Sequence, residues 1–149
     1  MELMEMGKAA AAAKTEMARL STQEKNAALQ AAAEGLLKDQ EKILSANAKD
    51  VAEGEAKGMN PGLLDRLRLN ESRVAAMAEG LRQVAALPDP IGERLERFSR
   101  PNGLVIVKIR VPLGVIHIIY ESRPNVTADA FGLCFKTGNV CILKGGSDA

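Results

Sequence analysis

The chain has 149 residues, a length that fits one domain of moderate size. Apolar residues make up 46% and charged residues 26%, and the formal net charge is +1. This balance excludes a disordered chain and a basic field that would gather nucleic acid or an anionic membrane.

The N-terminal Met1-Glu2-Leu3-Met4-Glu5-Met6 carries acids where a signal peptide needs a basic region ahead of an apolar one. No apolar run approaches the roughly 20 residues that span a bilayer. Cys134 and Cys141 sit in apolar surroundings and are too few for a disulfide framework, so a reduced, cytoplasmic protein is expected.

Residues 1–88 read as a helical layer, rich in Ala, Glu, Lys and Leu and broken by proline only at Pro61 before Pro88. Ser21 and Glu24 have the spacing of a capping box, which starts a helix at Thr22. Its apolar positions Ala28, Leu29, Ala32, Leu36 and Leu37 are expected on one face. A further helix runs through Ile43, Leu44 and Val51 and ends near Gly54 to Gly58. Asn60 caps a helix with Pro61 at its first position, and Asn70 caps another with a stripe of Val74, Met77, Leu81 and Val84.

Pro88-Asp89-Pro90 ends the helices, because proline cannot continue one and extends the residue before it. Residues 92–111 read as a β-hairpin, with strands near 92–100 and 104–111 around the turn Pro101-Asn102-Gly103. Val105, Val107, Ile109 and Val111 share one face of the second strand, and Lys108 and Arg110 the other. The basic residues here outnumber the acids, as an anion-binding ribbon would have them, but a solvated strand face is the expectation.

Residues 112–149 change character again. Gly114 to Tyr120 is a continuous run in which β-branched residues dominate, the pattern of a strand buried on both faces. Asn125 to Lys136 reads as a helix stopped at Gly138, and Val140-Cys141-Ile142-Leu143 as a second buried strand. Strand, helix and strand in this order form a βαβ unit, so the strands are expected parallel. Two parallel strands need further strands and cover on both faces, so an α/β domain with an unfinished sheet is expected.

Open α/β sheets bind ligands at the carboxyl ends of their strands. Here these ends are Glu121 to Asn125 and Lys144-Gly145-Gly146-Ser147-Asp148. Asn125, at a helix start, could donate to a developing oxyanion or simply cap the helix. Lys144 with Gly145 and Gly146 offers a cation and close backbone approach for a nucleotide, or a lysine that reaches solvent. The glycine pair is neither a dinucleotide fingerprint nor a phosphate-binding loop. His117 reads as a core or sheet-face residue, and one histidine with scattered carboxylates makes no metal site. Neither cysteine has the basic setting that activates a thiol.

Val111-Pro112-Leu113-Gly114-Val115-Ile116, followed by Ile118-Ile119-Tyr120-Glu121-Ser122-Arg123-Pro124-Asn125-Val126-Thr127, resembles the signature stretch of the γ-glutamyl phosphate reductases, within the aldehyde dehydrogenase superfamily. Lys136-Thr137-Gly138-Asn139 and Leu143-Lys144-Gly145-Gly146 continue the likeness. So do Ala46-Asn47-Ala48-Lys49-Asp50, Leu64-Asp65-Arg66-Leu67 and Gly80-Leu81-Arg82-Gln83-Val84.

The resemblance implies an aldehyde dehydrogenase-like α/β fold in which residues 112–149 open a Rossmann-like parallel sheet. It also implies NADPH-dependent reduction of L-glutamyl 5-phosphate to glutamate 5-semialdehyde, with phosphate released, in proline synthesis. A cysteine thiolate would attack the acyl phosphate to give a thioester, and hydride would then reduce it. By position Asn125 becomes the oxyanion donor and Lys144 the ligand of the adenosine ribose, with Gly145 and Gly146 beside it. Ser147 falls where an acid binds ribose in NAD-preferring relatives, and its neutral side chain would admit a 2′-phosphate. His117 stands where the family usually has glycine.

The nucleophilic cysteine belongs to a later catalytic domain, which this chain lacks, so the expectation is an N-terminal fragment inactive by itself. The resemblance further implies a small-molecule substrate, glutamate 5-kinase as a partner and a homo-oligomeric full-length enzyme, without nucleic acid or membrane. Two other readings stand beside it: another acyl-reducing member of the superfamily, such as a CoA-acylating one, and a non-catalytic helical module using its Ala-rich face.

Overall fold

The helix starts are set by the residues that the sequence marks. In the computed structural model, which describes residues 2–121 and 123–146, the Ser21 hydroxyl accepts from the Glu24 N–H at 3.2 Å. The Glu24 carboxylate in turn accepts from the Ser21 N–H at 2.8 Å, completing the capping box. The Asn60 side chain accepts from the Gly62 N–H and that of Asn70 from the Arg73 N–H, both at 2.8 Å. The helices are α1 (Leu3–Met17), α2 (Thr22–Lys38), α3 (Gln40–Ala56), α4 (Pro61–Leu67) and α5 (Glu71–Ala86).

The main core lies where α2, α5 and a later helix, α6 (Pro124–Lys136), meet. Leu29, Ala33, Ala78, Leu81 and Ala85 are buried there, with Phe131 and Phe135 packed against them. Small residues let the helices approach closely. A Cβ on Gly132 would stand 2.7 Å from the Leu81 Cδ2. The Ala-rich face of α2 and α5 is therefore spent inside the core, which removes the basis for a free interaction module. Leu37 departs from its expected stripe and is exposed, while Ala33 and the Lys25 side chain are buried. Truncating fully buried Leu29 to alanine is expected to cost about 2–5 kcal/mol. Leu37→Ala should stay within about 0.5 kcal/mol of wild type. Urea midpoints of the two variants check this pair.

Charged groups also enter this core. Lys25 of α2 forms an ion pair with Asp89, in the segment after α5. Asp89 also accepts from the Thr22 hydroxyl at 2.8 Å and from the Ile91 N–H at 3.0 Å. Lys136, at the end of α6, donates to the Asn26 side-chain oxygen at 2.6 Å and to the Ala85 carbonyl at 2.8 Å. Burial pushes the Asp89 carboxyl up, but the bonds from Lys25, Ile91 and Thr22 outweigh it and hold the carboxyl below its usual value. Burial pushes the Lys136 ammonium down, against the opposing pull of Asp89. Asn47 closes another joint, donating to the Leu67 carbonyl at 2.8 Å and accepting from the Leu69 N–H at 2.7 Å.

After Pro90 the chain forms the antiparallel pair β1 (Arg94–Ser99) and β2 (Val105–Ile109), both shorter than expected. Gly103, at φ +85°, makes the turn, and its N–H donates to the Arg100 carbonyl at 2.9 Å. Lys108 pairs with Glu96 at 3.6 Å and Arg110 with Glu93 at 3.0 Å. Those pairs neutralise Lys108 and Arg110 of the ribbon's basic residues. Val105, Val107 and Ile109 leave an exposed apolar face.

The strands β3 (Val115–Tyr120) and β4 (Val140–Gly145) pair in parallel, joined by α6. Gly138, at φ +69°, ends α6, and the Asn139 side chain holds the Gly114 N–H at 2.8 Å. This bond and the Val140 N–H to Gly114 carbonyl bond at 2.9 Å set the register, from Val115 opposite Val140 to Tyr120 opposite Gly145. The expectation of a β3 buried on both faces is corrected. Val115, His117 and Ile119 are exposed, alternating with half-buried Ile116, Ile118 and Tyr120. The reason is that α6 and α1 both lie mainly along β4 and reach β3 only lightly, so neither covers it fully. Among the described residues no helix is long and apolar enough to cross a membrane.

Candidate functional site at the strand tips

Proline at its first position starts α6, and Arg123 stands at the cap position without a side-chain cap bond. Asn125 is therefore inside the first turn and does not cap the helix. Its side-chain N–H donates to the Asp129 carboxylate at 3.1 Å, one turn on. The exposed amide retains a second N–H for a ligand. Asn125 lines an open cleft of about 470 Å³ whose other walls include Arg66, Arg73, Met77, Arg123 and Asp129.

Lys144 lies within β4, which runs two residues beyond the Leu143 end expected from the sequence. Its register partner is Ile119, and paired residues of a parallel ladder project to the same face. Ile119 is 71% exposed, on the face with Val115 and His117. The opposite face belongs to α6: the Tyr120 hydroxyl bonds the Thr127 hydroxyl at 2.6 Å. Lys144 and Asn125 thus leave the sheet on opposite sides, so the two strand tips do not bring these side chains into one cleft. Gly145, paired with Tyr120, lines a second cavity on the α6 side with Arg123 and Thr127. A Cβ on Gly146 would sit 3.7 Å from the Tyr120 carbonyl oxygen, so the two strand tips lie in ordinary contact. Ser147 lies outside the described residues.

The remaining candidates fall where they bear on no reacting centre. His117 is an exposed residue of the open sheet face, beside Ile142. Cys134 is buried in α6, and Cys141 is half-buried on the strand beneath it. Burial pushes both thiols up, so both stay protonated at neutral pH and neither is an activated nucleophile. Among the described residues no group of His, Cys, Asp and Glu could hold a metal ion. The arginines around Asn125 carried no assigned role in the sequence. Arg66 and Arg123 lie inside the resemblance motifs, but only the fold places both on the wall of one cleft.

No family model matches the chain. It is 58% identical over all 149 residues to the γ-glutamyl phosphate reductase of Thermoanaerobacter sp. (strain X514), covering 36% of that protein. It is 56% identical, over the same span, to that of Moorella thermoacetica. The crystal structure of γ-glutamyl phosphate reductase from Thermotoga maritima superposes with a TM-score of 0.97 at 42% identity, over 100% of this chain and 36% of that one. The Saccharomyces cerevisiae enzyme superposes at 0.88 with 32% identity, over 97% of this chain and 37% of its own. The chain thus spans little more than a third of the length of the relatives it matches.

Proposed function

We propose that this chain, a homologue over its whole length of the γ-glutamyl phosphate reductases, serves the NADPH-dependent reduction of L-glutamyl 5-phosphate to glutamate 5-semialdehyde. The observation that carries the reading is the close superposition on the Thermotoga maritima reductase, with the parallel β3-α6-β4 unit on which Asn125 and Lys144 are mounted. In it Asn125 donates its open N–H to the carbonyl oxygen as negative charge develops there. Such a donor acts strongly because it is already oriented before the reaction. The Asp129 carboxylate supports it by fixing the amide's other N–H.

NADPH, when bound, supplies the hydride. The chemistry of the β4 tip suits it: an exposed ammonium donates to ribose hydroxyls or phosphate, and two glycines admit the backbone close to a ligand. Lys144 would hold the adenosine ribose beside Gly145 and Gly146, and Ser147 would tolerate a 2′-phosphate. The opposite exits of Asn125 and Lys144 suit a cofactor that passes over the sheet's edge, its adenosine end on one side and its reacting end on the other. The attacking thiol is neither Cys134 nor Cys141. A homo-oligomeric full-length protein is part of the same reading, as is glutamate 5-kinase as the source of the acyl phosphate.

The test is NADPH oxidation by the full-length protein carrying these residues, dependent on L-glutamyl 5-phosphate and matched by phosphate release. Lys144→Ala is expected to raise the KM for NADPH about 10- to 100-fold, the loss of one hydrogen bond from a charged group. Phosphate release without NADPH oxidation would contradict the reading.

A further inference from the structure

The cleft at Asn125 carries charge of both signs, although the chain as a whole is almost neutral. Its volume of about 470 Å³ lies within the range of small-molecule sites, roughly 300–1,000 Å³. One opposed pair there is already committed to structure. Arg73 donates to the Asp65 and Arg68 carbonyls and reaches the Asp65 carboxylate at 3.3 Å, tying α4 to α5. Arg66 and Arg123 form no ion pair among the described residues. Asp129 accepts one bond, from Asn125, and keeps further lone pairs open. Two guanidinium groups without an ion-pair partner among the described residues thus line the cleft, with one carboxylate that keeps acceptor capacity beyond its bond to Asn125. Buried Met77 supplies an apolar floor.

We propose that this cleft recognises the α-amino-acid head of the substrate, with Arg66 and Arg123 on its carboxylate and Asp129 on its ammonium. The planar fork of an arginine matches a carboxylate in two parallel hydrogen bonds, which a lysine could not offer. An inorganic anion would leave Asp129 facing like charge, and a simple amine would leave both arginines unmatched. An amino acid with an acyl side chain satisfies both signs and directs that acyl group along the cleft toward Asn125. The inference rests on the reductase reading for the identity of the acyl group, but not for the recognition of the head.

Calorimetric titration of the full-length protein with L-glutamate, glutarate and n-butylamine separates these contacts. L-glutamate should bind tightest. Arg66→Gln and Arg123→Gln should each weaken L-glutamate and glutarate about 10- to 100-fold, as expected for losing a hydrogen bond to a charged group, and leave n-butylamine nearly unchanged. Asp129→Asn should weaken L-glutamate and n-butylamine but spare glutarate. All three positions are exposed, and thermal melts of the variants should match wild type. Equal affinity for the three ligands, no binding of L-glutamate, or indifference to all three substitutions would overturn the proposal. NADPH binding in the same samples keeps the two readings apart: its loss with amino-acid recognition intact counts against the cofactor role of Lys144 and not against this cleft.

Discussion

Asp89→Ala is expected to destabilise the protein by about 3–5 kcal/mol, the range for removing one partner of a buried ion pair. The substitution would strand the Lys25 ammonium, only 2% exposed, with its main acceptor gone. Lys136, 3% exposed, feels the same carboxylate and would lose its counterweight to a like-charged neighbour. The asymmetry of buried charge makes a second variant informative. Replacing Lys25 and Asp89 together by apolar residues should cost far less than Asp89→Ala, because no charge is then left in the core.

The same pair sets a dependence on pH. The folded Asp89 carboxyl is held below its ordinary value, so its contribution is complete above the unfolded pKa of about 3.9. It is lost as pH falls through the lower folded value. Urea midpoints of wild type and Asp89→Asn should therefore converge on acidification below about pH 4. A gap that persists undiminished into that range would assign the loss to packing instead.

If Asn125 is the oxyanion donor proposed above, Asn125→Ala lowers kcat of the full-length protein about 10²- to 10³-fold, the usual cost of one such donor. The change removes no core contact, because Asn125 is exposed, and it breaks only the bond to Asp129. Binding of NADPH should be unaffected. Asn125→Asp discriminates further: it keeps the shape but puts a negative charge where the proposed oxyanion forms, and so should be at least as damaging as alanine. Unchanged kcat in the alanine variant would remove Asn125 from the reaction.

What could be read in the sequence is what local chemistry decides. Ser21 with Glu24, Asn60 with Pro61, and Asn70 mark helix starts because the caps lie within a few residues of the groups they satisfy. Gly103 and Gly138 mark turns because left-handed backbone favours glycine. Parallel pairing followed from the strand-helix-strand order.

What escaped depends on which distant segments meet. The Lys25–Asp89 pair joins residues far apart in the chain, and nothing beside Lys25 announces a buried cation. The β-branched run of β3 is equally suited to one covered face or two, and the packing of α6 and α1 decides. The faces of Asn125 and Lys144 depend on register, which the Asn139 contact with Gly114 fixes across two strands. Arg66 and Arg123 were visible as letters of a motif, but the cleft they both line exists only once the chain has folded.

Steady-state kinetics with NADPH as the varied substrate, on Asn125→Ala and Lys144→Ala side by side, bear most directly on a division of labour between the two strand tips. The alanine at Asn125 should depress kcat and leave the KM for NADPH in place, while the alanine at Lys144 should raise that KM and spare kcat. Reversed effects, or wild-type parameters in both variants, would contradict it.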